Sequence, residues 1–136
     1  YDYKNLTILN NLSEIKKNNY DFVHFGSTLQ YLDNYNDVLL DILPIAKKYI
    51  MISATHFFNN NDFLENIIVK QLNFLPDLFY LYFINSDILL NQFLKYNFLI
   101  EFNRVNNSHI SNYNTFKYLK IDNIKYTDIL LSKNND

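Results

Sequence analysis

The stretch DFVHFGSTLQYL, residues 21–32, decides the fold because it joins an apolar run to the only glycine of the chain. Residues 22–25 form a near-continuous apolar run, the pattern of a strand buried on both faces of a parallel sheet. Gly26 and small hydroxyl residues follow this run directly. Ligands of open α/β sheets bind beyond the carboxyl ends of the strands, so this turn is a candidate binding position.

A second apolar run continues the same pattern further along the chain. Residues 38–46 place apolar side chains on one helical face, and Pro44 should bend or end that helix. Residues 49–54, YIMISA, then form a second buried run. A strand, a helix and a strand in this order make a right-handed crossover, so we predict two parallel strands of one sheet.

The remaining patterns predict shorter elements and an antiparallel sheet edge. Ser86 should cap an amphipathic helix that ends at Asn97, where asparagine replaces the usual glycine. Residues 98–105 and 124–132 are predicted to pair as antiparallel strands. Less marked signals predict a strand over residues 6–9 and a brief helix from Ser13 through Lys17.

Composition limits the classes of function. The 136 residues, 49% of them hydrophobic, fit a single domain, residues 1–136. Twelve basic residues against 14 acidic ones give no field that would attract nucleic acid. The absence of cysteine excludes disulfides and fits the reducing cytoplasm, and the apolar residues 74–84 are too few for a transmembrane segment. The Asn-rich mixture is typical of an AT-rich genome, and the start at Tyr1 suggests a piece of a longer protein.

The three histidines are the candidates for acid–base chemistry. His24 lies within an apolar run and is predicted to be a hydrogen-bonded core residue. His56 follows the second strand, where an imidazole could reach solvent and act as a general base. His109 falls in a polar loop and is predicted to be on the surface. Their spacing matches no zinc signature, so no metal site is predicted.

Residues 26–58, GSTLQYLDNYNDVLLDILPIAKKYIMISATHFF, resemble the fourth-to-fifth-strand segment of S-adenosylmethionine-dependent methyltransferases. The serine-rich turn and the Leu-Gln-Tyr motif are similar to a family of proposed methyltransferases associated with surface-polysaccharide genes. The sequence departs from that family at His56, where proline is usual, and at Asn97, where glycine commonly precedes an aromatic residue. The matching positions are Gly26, Ser27, Leu29, Gln30, Tyr31, Thr55, Gln71, Phe83 and Asn85.

The resemblance implies a fold and a division of roles. The implied fold is the C-terminal portion of a Rossmann-like class I methyltransferase sheet, mostly parallel with an antiparallel C-terminal strand pair. The half that holds S-adenosylmethionine would precede Tyr1, with residues 6–9 as the third strand, so the chain alone should bind the cofactor weakly and be inactive. The implied reaction is O-methylation of a sugar or other small molecule. The implied roles are cofactor binding by Gly26, Ser27, Gln30 and Tyr31, acceptor binding by Thr55, Gln71 and Asn85, and proton removal by His56.

Two alternatives remain open at the level of the sequence. One is a non-catalytic binding or assembly module with a methyltransferase-like fold. The other is an unrelated small α/β interaction domain. The second alternative would be complete as it stands. If the chain is instead the truncated half of a methyltransferase, strands normally covered by the missing half would leave an open apolar edge, which predicts self-association of the chain.

Overall fold

The computed structural model describes residues 7–9, 11–59, 65–74, 77–107 and 124–134. Within these ranges no helix is both long and apolar enough to cross a membrane. The described part of the predicted strand 6–9 has no regular structure. The elements are α1 (Leu12–Ile15), β1 (Tyr20–Gly26), a 3₁₀ turn (Leu29–Tyr31), α2 (Tyr35–Ile42), β2 (Ala46–Phe58), β3 (Ile67–Phe74), β4 (Asp77–Asn85), α3 (Ser86–Lys95), β5 (Phe98–Val105) and β6 (Lys125–Lys133).

The first two strands confirm the predicted crossover. β1 and β2 are parallel neighbours, with Phe22 opposite Tyr49 and Gly26 opposite Ser53, and α2 lies between them in sequence. α2 ends at Ile42, two residues before Pro44, as the sequence predicts. β2 is much longer than its predicted core and also pairs with β4 and β6.

The sheet is mixed but mostly antiparallel, so the prediction of a mostly parallel sheet is wrong. Of the five pairings between described strands, three are antiparallel: β2 with β6, β3 with β4, and β5 with β6. The β5–β6 pair confirms the predicted antiparallel strands at the C-terminus. The physical reason for the difference is twofold. β3 and β4 form an antiparallel hairpin where no strands were predicted, and β6, next to the edge strand β5, also pairs antiparallel with β2.

Helix ends follow local hydrogen bonding. α3 is capped by Asn85, whose Oδ1 accepts from the Asp87 N–H at 3.0 Å, rather than by the predicted Ser86. Asn11, rather than Ser13, caps α1. Asn97 has a φ of 62°, which confirms the prediction that asparagine takes the left-handed conformation after α3.

The main hydrophobic core lies on one face of the sheet. α1, α2 and α3 all pack against it, and its strand residues include Phe25, Ile50, Ile52 and Phe57. A smaller cluster on the other face is built from Phe58, Leu81, Phe83 and Ile124. The two cores place side chains of β2 on both sides of the sheet.

The rest of that second face is open. Paired residues of neighbouring strands point to the same side, so Phe22, Tyr49 and Leu99 share the face that the helices leave uncovered. Their exposed fractions are 56%, 43% and 46%. β1 and the first half of β2 were predicted to be buried on both faces, but the structure buries them on one only. We call this surface, which also includes Phe102, the open apolar face.

Candidate functional site

The carboxyl ends of β1 and β2 form a polar rim. Gly26 lies opposite Ser53, and the Ser27 N–H donates to the Ser53 carbonyl at 2.9 Å. The Thr28 hydroxyl donates to the carbonyl of Gly26 at 2.7 Å. Ser27 has a φ of 49°, so the chain turns sharply where β1 ends. Ser27 and Thr28 are exposed residues that carry hydroxyl groups, at the position where open α/β sheets bind ligands.

A β-bulge interrupts β2 beside this rim. Ile52 pairs with Ile129 and Thr55 pairs with Thr127, so β2 contains one residue more than β6 over this interval. Ala54 has a φ of 54°, an uncommon conformation for a residue with a Cβ. Bulges re-aim side chains and are frequent next to functional sites.

Two buried side chains satisfy the backbone of the bulge. The Ala54 N–H donates to Oδ1 of Asp128 at 2.9 Å, and the Ala54 carbonyl accepts from Nε2 of Gln30 at 3.0 Å. Gln30 also donates to the Ser27 hydroxyl at 3.1 Å. Gln30 is fully buried and Asp128 is 4% exposed. We call Gln30 and Asp128, which together hold the backbone of Ala54, the bulge clamp.

The carboxylate of Asp128 is held in its charged form. Burial would raise its pKa, but hydrogen bonds from Asn106, from the Ala54 N–H and from Arg104 outweigh burial, and the pKa lies below its ordinary value. Asn106 Nδ2 donates to both oxygens, at 2.9 and 3.1 Å, and Arg104 Nε lies 3.4 Å from Oδ2. A charged acceptor makes the hydrogen bond to the bulge stronger than a neutral one would.

We expect the Asp128 carboxylate to make the free energy of unfolding fall as the pH is lowered into the acidic range. Because the pKa of Asp128 is lower in the folded chain than the unfolded value of about 3.9, the charged carboxylate stabilises the fold fully at pH values above that unfolded value. This stabilisation is lost as the pH falls through the folded pKa. Urea unfolding at a series of acidic pH values should therefore show a falling free energy of unfolding. Asp128→Asn should flatten that dependence, while Asp21→Asn, at an exposed pair with Lys48, is the control. Equal slopes for wild type and Asp128→Asn would contradict the prediction.

His24 takes part in the rim, although the sequence predicted a core residue. It is exposed, and its Nε2 lies 2.7 Å from Oγ of Ser53. Gly26 leaves space beneath the imidazole, because a Cβ on this glycine would lie 3.1 Å from Cε1 of the ring. The prediction failed because β1 has one open face, so an apolar run did not imply burial on both sides.

His56 lies inside β2 rather than beyond its end. Its ring is half-buried, stacks on Phe83 with centroids 5.3 Å apart, and contacts Tyr126 at 4.9 Å. The expectation of a solvent-facing residue past a strand end is corrected, because β2 continues to Phe58. His109 lies outside the described residues. Over the described ranges, no three His, Asp or Glu side chains converge as a metal site would require.

The other predicted site residues divide into two groups. Gly26 and Ser27 are exposed at the rim, and Tyr31 is 43% exposed just after it. Gln30 is buried beneath them and is part of the clamp.

The remaining predicted site residues are the three proposed for the acceptor. Thr55 is fully buried and its hydroxyl donates to the Ser53 carbonyl at 3.2 Å. The structure does not bring the last two to this rim: Gln71 is half-buried in β3, and Asn85 is buried as the cap of α3.

Sequence reasoning missed Asp128 and its partners. The signal was an aspartate in the middle of the apolar run KYTDILL, residues 125–131, which costs free energy to bury unless it is paired. Its partner Ala54 lies 74 positions away in the sequence, so no local pattern connects them.

Comparison with known proteins supports a fold but no sequence family. No family model and no curated protein matches the sequence. Among solved structures, the N-terminal domain of EvdMO1 with SAH bound matches with a TM-score of 0.52 and 12% identity, over 91% of this chain and 49% of that one. The same domain in the presence of SAH and D-fucose matches equally well, over 50% of its length.

A third match is a proposed S-adenosylmethionine dependent methyltransferase from Listeria monocytogenes. Its TM-score is 0.55 at 12% identity, over 87% of this chain and 63% of that one. The chain therefore has an α/β fold similar to that of methyltransferase structures. It spans about half to two thirds of the length of the structures it matches.

Proposed function

We propose that this chain is the acceptor-side half of an S-adenosylmethionine-dependent methyltransferase domain that methylates a hydroxyl group of a sugar or another small molecule. The observation that carries the proposal is the match of 91% of the chain to a domain with SAH bound. The polar rim at the carboxyl ends of β1 and β2 supports it, because that is the ligand-binding edge of such sheets. The sugar acceptor is suggested by D-fucose, which was present with one matched structure.

The open apolar face supports the idea of a half-domain. Among described residues β1 pairs only with β2, and Phe22 and Tyr49 expose apolar surface beside that edge. Apolar runs without alternation are typical of strands covered on both faces. A cofactor-binding half that adds a strand to β1 and helices to the open apolar face would cover both features. Without it, self-association through this edge is proposed, and sedimentation at rising concentration tests it.

The rim residues fit part of such a cofactor. Ser27 is an exposed residue whose hydroxyl accepts from Gln30 and keeps its own proton to donate, and Tyr31 offers a partly exposed ring on which a purine can stack. Gln30 would act on the cofactor only through Ser27, because its amide is buried and engaged with Ala54. Thr55 and Asn85 support the strand ends rather than contact the acceptor, and Gln71 remains a candidate on the hairpin.

Bound S-adenosylmethionine supplies an electrophilic methyl group. The residues of the chain orient the acceptor hydroxyl and take its proton as the oxygen–carbon bond forms and the sulfur–carbon bond breaks. His24 is exposed at the rim and is the candidate base that the geometry favours. His56, the candidate from the sequence, lies two residues beyond the bulge against aromatic rings.

Calorimetric titration with SAH tests the proposal. The complete gene product that contains this chain should bind SAH, and the 136-residue chain should bind it about a hundredfold more weakly, a difference of about 2.7 kcal/mol. Equal affinities would contradict the half-domain. Transfer of labelled methyl from S-adenosylmethionine to a panel of monosaccharides, D-fucose included, then tests the reaction. Binding without transfer to any acceptor would favour the non-catalytic module, and no binding would overturn the proposed function.

A further inference from the structure

We infer that Gln30 and Asp128 are positioning residues that hold the Ser53–Ala54 bulge so that Ser53 meets His24 at the rim. The inference rests on the proposed function for its catalytic meaning, but the geometry stands without it. The clamp holds the backbone of Ala54, and His24 forms its hydrogen bond with the preceding residue, Ser53. Ser53 and Ala54 are the two residues of the bulge. A change in the clamp is therefore transmitted directly to the histidine.

The backbone of Ala54 explains why the clamp is needed. A left-handed alanine is strained, and its N–H and carbonyl have left the regular ladder with β6. An unsatisfied buried backbone group is costly, so the bulge persists only where partners are supplied. Asp128 supplies an acceptor from β6 and Gln30 supplies a donor from the 3₁₀ turn.

Neither clamp residue is placed to touch a ligand. Gln30 is fully buried, and Asp128 is almost so and is covered by Asn106 and Arg104. Ser53, by contrast, forms hydrogen bonds at the rim through both its side chain and its backbone carbonyl. Its hydroxyl meets His24, and its carbonyl accepts from Ser27 and from Thr55. Ser53 is thus the residue through which the buried clamp reaches the exposed rim.

In the proposed reaction, this arrangement fixes the imidazole before the acceptor binds. The Ser53 hydroxyl occupies Nε2 of His24 at 2.7 Å, the distance at which an acceptor hydroxyl would sit for proton transfer. An acceptor hydroxyl that takes over this hydrogen bond from the Ser53 hydroxyl would meet the imidazole in the orientation in which Ser53 had held it. The clamp would then govern the rate of proton removal without contacting any reacting atom.

Modification with diethyl pyrocarbonate, with sites located by mass spectrometry, tests the inference on the chain alone. Ser53→Ala should raise the rate at His24 about fivefold, which converts to about 1 kcal/mol for one hydrogen bond. Asp128→Ala should raise it equally, although Asp128 does not contact His24. Asp128→Asn should raise the rate less than Asp128→Ala does, because its amide oxygen can still accept from Ala54, although its amide nitrogen cannot accept from Asn106 and Arg104 as Oδ2 does. Asp41→Ala, at an exposed pair with Lys16, is the control.

A second clamp variant keeps the test informative if Asp128→Ala does not fold. Gln30→Met keeps a buried side chain of similar length but removes the donor to Ala54, and it should also change the ¹⁵N shift of His24 Nε2. Lower thermal stability in Asp128→Ala and Gln30→Met with an unchanged rate and shift at His24 would overturn the inference and leave a purely structural role. No cofactor or acceptor enters this test, so its failure is separate from failure of the proposed function.

Discussion

Replacing His24 with alanine should lower methyl transfer about a hundredfold or more, the usual loss for a general base, if the chain forms the proposed methyltransferase together with a cofactor-binding half. The reason is its position: the imidazole is exposed at the rim and already forms a hydrogen bond with a hydroxyl group, that of Ser53. The measurement is the transfer rate of labelled methyl to a saturating acceptor, with SAH affinity measured in parallel. SAH affinity should change little, because the base acts on the acceptor.

His56→Ala is the matched control for this prediction. His56 was the candidate base from the sequence, and it lies on the same strand as Ser53, but its ring packs against Phe83 and Tyr126. We expect a smaller loss of rate than for His24→Ala, accompanied by lower thermal stability. A hundredfold loss in His56→Ala with a normal rate in His24→Ala would assign the proton transfer to His56 instead.

Replacing Phe93 with alanine should lower the free energy of unfolding by about 3–5 kcal/mol, the cost of removing a buried phenylalanine. Phe93 is fully buried in α3 and packs edge-to-face against Phe98, with ring centroids 6.3 Å apart. A domain of this size is stabilised by only about 5–15 kcal/mol, so the loss is a large part of the total. Urea unfolding monitored by circular dichroism measures it.

The neighbouring residue provides the control for the Phe93 variant. Leu94 lies on the same helix but is 52% exposed, so Leu94→Ala removes little buried surface. Its effect should stay within about 0.5 kcal/mol, as for most surface substitutions. A loss at Leu94 equal to that at Phe93 would mean that α3 packs differently from the described arrangement.

The sequence predicted elements whose signals are local. The crossover of β1, α2 and β2, the two C-terminal strands and the left-handed Asn97 were all predicted from apolar runs and from the residues that end them. The β3–β4 hairpin was not predicted. Residues 67–69 and 78–84 are continuous apolar and aromatic runs without alternation of apolar and polar residues, and the sequence between the two runs contains no glycine.

The site was harder to predict than the fold because its geometry depends on residues far apart in sequence. Gly26, Ser27 and Gln30 were correctly grouped at the end of β1, but Gln30 is a buried support rather than a surface contact. The end of β2 was placed too early because Ser53–Thr55 are small or polar, although the strand runs on to Phe58. The partner that makes this continuation possible, Asp128, lies on another strand.

The bulge at Ala54 also shifts the phase of the strand that carries it. Before the bulge, Ile50 and Ile52 point into the main core; after it, Phe57 points there and Phe58 points to the opposite cluster. The inward positions therefore change from even to odd numbers. A relative with an unbulged β2 would align correctly only with a one-residue gap at 53–54. A gap placed elsewhere would exchange inward and outward residues over the interval between the two positions.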